Sequence, residues 1–255
     1  MWTSKLNFLF INFTIGNIFT LLAIVSFILS MIFLSHISKI NKKQIIILSF
    51  ILLFFGLVGT QILSFVINLL YNKDGLNVLS KWGQDRSYYG GLILNIFISL
   101  FYIKKFDLPK YKTLDIITIS QVIAFAFGRF SCLSNGCCYG NPTNSDFGIK
   151  LYSNLILDKF RGINLYPTQI YEIICLLIIL SVIILVFKYS KVSGLSFYLY
   201  LILYPFARFI IEFYRNNYIQ NYIIYNISIS QFISIIIFIT ALTLLVFHLK
   251  NNLKK

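Results

Sequence analysis

The sequence is poor in the residues from which a soluble surface is made. Only 12% of its 255 residues are charged, and only 8 are acidic. Soluble domains carry about 25% charged and about 45–50% apolar residues, whereas 58% of this chain is hydrophobic. A soluble globular domain is therefore excluded, and so is disorder, because apolar surface is abundant. With 13 Gly and 4 Pro, collagen-like and low-complexity chains are excluded as well. Histidine is nearly absent, His36 and His248 being the two present, and there are four Cys. Cys132, Cys137 and Cys138 form a CxxxxCC cluster with no His beside it. Zinc sites use paired C-x2–4-C spacings, often with His, so the expectation is small packing thiols and no metal. A disulfide among them is left open.

What the chain does have is long apolar runs. A helix needs about 20 mostly apolar residues to cross a bilayer, and seven segments qualify: Asn17–Ile37, Gln44–Tyr71, Tyr88–Ile103, Leu114–Leu133, Gln169–Phe187, Gly194–Tyr214 and Ile223–Phe247. The runs are continuous rather than alternating, which argues against a lipid-facing barrel. The first is longer than a signal-peptide core and lacks an obvious small-residue cleavage site, so it is read as retained. The predicted fold is an all-α integral membrane protein with seven transmembrane helices. It is expected to be one polytopic domain over 1–255, with a long outer loop over 134–166.

The net charge of +14 does not indicate nucleic-acid binding, because the basic residues sit in short loops between apolar runs. Lys39, Lys42, Lys43, Lys104, Lys105, Lys110, Lys112, Lys188, Lys191, Lys250, Lys254 and Lys255 fall on one side. Lys5, Lys73, Lys81, Arg86, Lys150, Lys159, Arg161 and Arg215 are spread over longer segments on the other. The positive-inside rule then puts the N-terminus outside and the C-terminus in the cytoplasm. A basic inner surface also suits anionic membrane lipid.

Charge inside a bilayer costs about 2.5–3.5 kcal/mol per group on insertion scales and usually faces a functional cavity. Arg129 lies near the end of span 4, Glu172 opens span 5, and Arg208 and Glu212 lie near the end of span 6 with Arg215 just beyond. All fall at outer helix ends, as do Tyr89, Gly90 and Gly91. Arg208, Glu212 and Arg215 are spaced to share a helix face. Either Glu212 only neutralises two snorkelling arginines, or the group is an anion site in which guanidinium matches phosphate. Between Gly128 and Thr143, glycines and Pro142 break the helix just after Arg129; irregular backbone at membrane depth is tolerated where it is buried or lines a cavity. Pro167 and Thr168 read as a helix start with a cap, which leaves Gln169 and Glu172, on one face, unexplained.

Tyr89-Gly90-Gly91, the run Gly128–Gly140 around Arg129, Pro167-Thr168-Gln169-Ile170-Tyr171-Glu172, and Tyr204 with Arg208, Phe209, Glu212 and Arg215 together resemble the prolipoprotein diacylglyceryl transferase family. The resemblance implies a multi-pass enzyme of the bacterial cytoplasmic (inner) membrane. It would move the diacylglyceryl group of phosphatidylglycerol onto the lipobox cysteine of a prolipoprotein, releasing glycerol-1-phosphate, without metal or cofactor. It implies that Arg129 holds the lipid head group, that Arg208 is a second essential arginine beside Glu212, and that Asn135 and Gly140 are signature positions. Tyr89 stands at the usual His, Cys132 at an Asn and Cys137 at a Glu. The catalytic set expected is Arg129, Arg208 and Tyr89; the substrate-binding set is Arg129, Asn135, Gly140, Gln169, Glu172, Glu212, Arg215, Gly90 and Gly91. The alternatives are a phospholipid-binding or transport protein and a transferase with another acceptor.

Overall fold

A computed structural model describes residues 6–8, 11–71, 87–152, 156–215, 222–224 and 227–253. Lys5, Lys73, Lys81, Arg86, Lys254 and Lys255, which enter the charge count for orientation, lie outside them. Seven long helices occur among the described residues: α1 Ile15–Ile37, α2 Lys42–Tyr71, α3 Tyr88–Lys105, α4 Lys110–Asn135, α5 Thr168–Tyr189, α6 Leu195–Glu212 and α7 Ile229–Leu253. Each expected apolar run overlaps one of them. Six are long and apolar enough to span a membrane; α3 is the exception, because Asn95 and the terminal Lys104 and Lys105 dilute its 18 residues. The chain is an all-helical, multi-pass membrane protein. Its helices expose large apolar side chains such as Leu29, Phe33, Phe54, Phe97, Leu185 and Phe247, which lipid rather than water accommodates.

Local chemistry sets the helix ends. Thr14 caps α1, its hydroxyl accepting from the Asn17 amide at 3.3 Å, and Asn41 caps α2 through the Lys43 amide at 3.0 Å, as short polar side chains do. Two boundaries correct the sequence reading. The last span does not begin at Ile223: Tyr222–Ile224 pairs antiparallel with Ile227–Ser228, and α7 follows. Ser228 and Gln231 form the reciprocal cap. The Gln231 amide donates to Ser228 Oγ at 3.1 Å and the Ser228 amide to Gln231 Oε1 at 2.9 Å, a capping box. Thr168, expected as a cap, is instead the first residue of α5. The cap position is Pro167, and the Thr168 hydroxyl donates to the Cys138 carbonyl at 2.7 Å.

The described chain forms two compact units, residues 28–117, and residues 1–27 with 118–255. In the first, α2 and α3 pack through backbone. A Cβ on Gly59 would lie 2.5 Å from the Gly90 carbonyl oxygen, and one on Gly91 would lie 2.8 Å from that of Gly56. This is the small-residue contact by which membrane helices approach closely. Tyr102 ties α3 to α2 further, donating to Gln44 Oε1 at 2.6 Å.

In the second unit α6 packs against both α5 and α7, and His248 Nε2 meets the Ser193 carbonyl at 2.8 Å across the far ends. The start of α1 lies against the end of α4. Ser131 Oγ donates to the Gly16 carbonyl at 2.8 Å, and the Phe19 and Phe130 rings stack at 5.4 Å. Helix α4 runs to Asn135, so the long connection spans 136–167 rather than 134–166. It builds its own small core from Tyr139, Leu151, Ile156, Phe160 and Leu165, beside a two-stranded ladder of Ile149–Lys150 and Asn164–Leu165.

Candidate functional site

Arg129 sits on the last turns of α4, Glu172 on the first turn of α5, and Arg208 and Glu212 on the end of α6. All are buried, at 7%, 3%, 6% and 4% exposure. They join in one ladder. Glu172 bridges two arginines, its Oε2 pairing with Arg129 Nε and its Oε1 with Arg208 Nη1. Arg208 Nη2 reaches Glu212 Oε2 at 2.6 Å, and Arg215 Nε faces that same oxygen at 4.0 Å. Ser228 Oγ donates to Glu212 Oε1 at 3.1 Å. The expected face of Arg208, Glu212 and Arg215 thus exists. Sequence spacing could not show that Glu172 ties it to Arg129 on a different helix.

Three arginines meet two carboxylates, which leaves one positive charge uncompensated within the ladder. Arg129 stacks its guanidinium over the Phe125 ring, 4.9 Å from the centroid, an arrangement that favours a cation. Its contact with the ladder is made through Nε to Glu172. A guanidinium in a net positive neighbourhood is fitted for an oxyanion.

Around the ladder, the chain leaving α4 is pinned to α5 and α6. Gln169, fully buried, donates from Nε2 to the Cys137 carbonyl at 2.6 Å. Its Oε1 has no partner among the described residues. Gly140 bridges to Arg215 and donates to the Tyr166 carbonyl at 2.9 Å. A Cβ there would meet the Tyr214 oxygen at 2.5 Å and the Tyr166 Cβ at 2.6 Å, so the position holds the backbone before Arg215 in place. Asn135 lies against Gly16 and its Nδ2 is 3.4 Å from Ser131 Oγ. Tyr171 packs edge-on with Tyr214 at 6.0 Å. Tyr89, Gly90 and Gly91 belong to the other unit. There Tyr89 is buried, and the two glycines serve the contact between α2 and α3.

The cysteine trio is the feature that spacing rules missed. Helix α4 ends in a Schellman turn, with Gly136 at φ 68°, the Cys137 amide donating to the Cys132 carbonyl at 3.0 Å and the Gly136 amide to that of Leu133 at 3.2 Å. That motif folds the residue after the glycine back over the one five positions earlier. Cys138 takes the left-handed region at φ 60°, which is uncommon without glycine. The three sulfurs end within 4.8 Å of one another, and all are free thiols. Beyond the helix end, hydrogen bonds from the Cys132 and Cys137 thiols, with the positive Arg215 and Arg129, hold the Cys138 thiol well below its ordinary value; the bonds to Cys132 and Cys138 push Cys137 up.

A family described as prolipoprotein diacylglyceryl transferase matches residues 8–247. The chain belongs to this family. It is 30% identical to the phosphatidylglycerol–prolipoprotein diacylglyceryl transferase of Clostridium tetani, over 76% of this chain and 77% of the relative. It is 31% identical to the protein of the same name from Lactobacillus acidophilus, over 84% and 80%. The Campylobacter lari relative is 28% identical over 73% and 64%. Within the family's fold, the residues that sequence reasoning did not single out are Phe125 beneath Arg129 and Ser228 beside Glu212. The serine had a signal, since Ser-x-x-Gln marks a helix start; the phenylalanine, one turn before Arg129, had only its spacing.

Proposed function

We propose that this chain transfers the diacylglyceryl group of phosphatidylglycerol to the lipobox cysteine thiol of a prolipoprotein, as a seven-span, single-domain enzyme of the bacterial inner membrane with its N-terminus outside and its cavity opening outward. The observation that carries the reading is the buried ladder from Arg129 through Glu172, Arg208 and Glu212 to Arg215, with one positive charge in excess. The lipid offers one phosphodiester negative charge. Arg129 takes the phosphate with its guanidinium, and Arg208 adds positive charge where the leaving phosphate gains negative charge. Fixed charge of this kind is usually the largest single contribution to catalysis. Glu172, Glu212 and Arg215 hold the two arginines in place. Gln169 offers its unpaired Oε1 to a head-group hydroxyl. Gly140 and Asn135 shape the pocket wall, and Tyr89, directly before Gly90 and Gly91 in the motif, is assigned a hydrogen-bonding hydroxyl.

Purified protein, incubated with phosphatidylglycerol vesicles and a lipobox peptide, should raise the peptide's mass by one diacylglyceryl group. Lipid binding without any modified peptide would instead support the binding or transport reading, and a lipidated product other than the peptide would support a different acceptor. A Tyr89→Phe variant should lose most transfer across pH 6 to 9 for want of its hydroxyl. Full activity in that variant would reduce Tyr89 to a packing residue. Orientation is checked at Asn144, which is exposed in the long connection. Asn144→Cys, in a chain otherwise free of cysteine, should react with a membrane-impermeant maleimide on intact protoplasts. Labelling only after lysis would invert the topology.

A further inference from the structure

The transfer reading uses the arginine ladder but leaves the thiol trio without a task, and it leaves the acceptor thiol without a group to remove its proton. We propose that Cys132, Cys137 and Cys138 bind one thiophilic divalent cation, zinc by its chemistry, with a fourth position open to the thiol of the acceptor. The second half of this proposal rests on the transferase reading; the first does not.

The geometry supports three ligands on one ion. Zinc–thiolate bonds of about 2.3 Å in a tetrahedron put sulfurs about 3.8 Å apart. The three sulfurs, all within 4.8 Å of one another, therefore need to close by no more than about 1 Å. The backbone that carries them is already fixed. The Schellman turn folds Cys137 over Cys132, Gln169 Nε2 holds the Cys137 carbonyl at 2.6 Å and Thr168 Oγ1 the Cys138 carbonyl at 2.7 Å. Cys138 remains left-handed without being glycine, a conformation L-residues seldom adopt, and its sulfur joins the group. The fourth Cys, Cys175 on α5, is not among them.

Charge is compatible with it: zinc with three thiolates carries one negative charge, and the cationic Arg215 and Arg129 act on Cys138. Three protein ligands and one open position are the pattern of catalytic rather than structural zinc. A thiol entering that position is deprotonated outright. The step balances without any redox change. The acceptor S–H proton leaves to solvent and its sulfur binds zinc as thiolate. A sulfur electron pair then forms the S–C bond to the glyceryl carbon, while the C–O bond breaks with its pair going to the phosphate oxygen. The neutral thioether, a poor ligand, leaves the metal.

The test is cobalt substitution in the full-length protein, purified in detergent under reducing conditions and stripped by a chelator. Co2+ should give thiolate charge-transfer absorption and the visible bands of a tetrahedral site, saturating at one ion per chain and displaced by Zn2+. Cys132→Ser, Cys137→Ser and Cys138→Ser should each lower cobalt affinity at least tenfold. Cys175→Ser should not change it, and Cys132→His, which keeps a ligand, should bind with weakened charge-transfer absorption. A lipobox peptide should shift the visible bands, and its Cys→Ser analogue should not. Cobalt spectra in the triple serine variant equal to those of wild type would overturn the proposal, as would a disulfide within the trio in protein purified without reductant or chelator. If that variant stays folded and transfers diacylglycerol normally, the metal's role fails and the transferase reading stands. If cobalt binds and answers the peptide while no product forms under any loading, the zinc site stands and the transferase reading fails.

Discussion

Glu172→Gln should abolish transfer and also lower the unfolding temperature in detergent by more than any other single change in the ladder. Glu172 is 3% exposed and is the one carboxylate that touches both Arg129 and Arg208. Glutamine keeps its shape and removes its charge, so two buried guanidiniums from α4 and α6 would face an amide, with Glu212 alone to balance them. Breaking a buried ion pair by removing one partner costs about 3–5 kcal/mol, because the remaining charge is left uncompensated. A shift of that size is a large share of a typical folding stability. Thermal melts followed by circular dichroism would measure it. Glu172→Asp separates charge from reach: one methylene shorter, it should keep one arginine and release the other, giving a smaller shift with severely reduced transfer. An unchanged melt for the glutamine variant would mean that the ladder is neutralised by some other group.

The parts of this structure that were legible in the sequence are those set by local rules. Seven apolar runs gave seven helices because burying backbone in lipid requires helices. Arg208, Glu212 and Arg215 could be grouped because the period of a helix alone puts them on one face. Where the reading failed, two rules competed and the wrong one was applied. Ile223 was assigned to the last helix because the apolar run continues through it, yet Ser228 and Gln231 carry a capping box that begins the helix later. The CxxxxCC spacing also leaves the closeness of the Cys132, Cys137 and Cys138 sulfurs, within 4.8 Å of one another, out of view. Gly136 between them signals a helix C-terminus, and the turn it makes supplies the proximity that spacing seemed to deny. The bridge from Glu172 to Arg129 and Arg208 was out of reach by any local rule, since it joins three helices. Its residues could be nominated from the cost of burying charge, and only their pairing needed the fold.

Arg129→Ala should abolish transfer while leaving the protein nearly as stable as wild type, and the contrast with Glu172→Gln is the point of the experiment. Removing Arg129 takes away one positive charge, but Glu172 keeps its bond to Arg208, so no carboxylate is left alone. The excess positive charge of the ladder disappears with it. The guanidinium that stacks on Phe125 is then missing from the place where a phosphodiester would bind. Hydrogen bonds to charged groups are worth about 1.5–3 kcal/mol each, so loss of a two-pronged contact predicts a drop in phosphatidylglycerol affinity of at least tenfold, and a larger one in transfer because charge grows on the leaving phosphate. Arg129→Lys restores the charge without the planar fork, and it should recover binding better than it recovers transfer, since a single ammonium cannot reproduce bidentate geometry. Binding is read by flotation with labelled vesicles, with phosphatidylcholine vesicles as the zwitterionic control of no net charge, and transfer by mass spectrometry of the peptide. If Arg129→Ala binds phosphatidylglycerol and lipidates the peptide as wild type does, the phosphate does not sit at Arg129, and the positive charge of the ladder serves the fold alone.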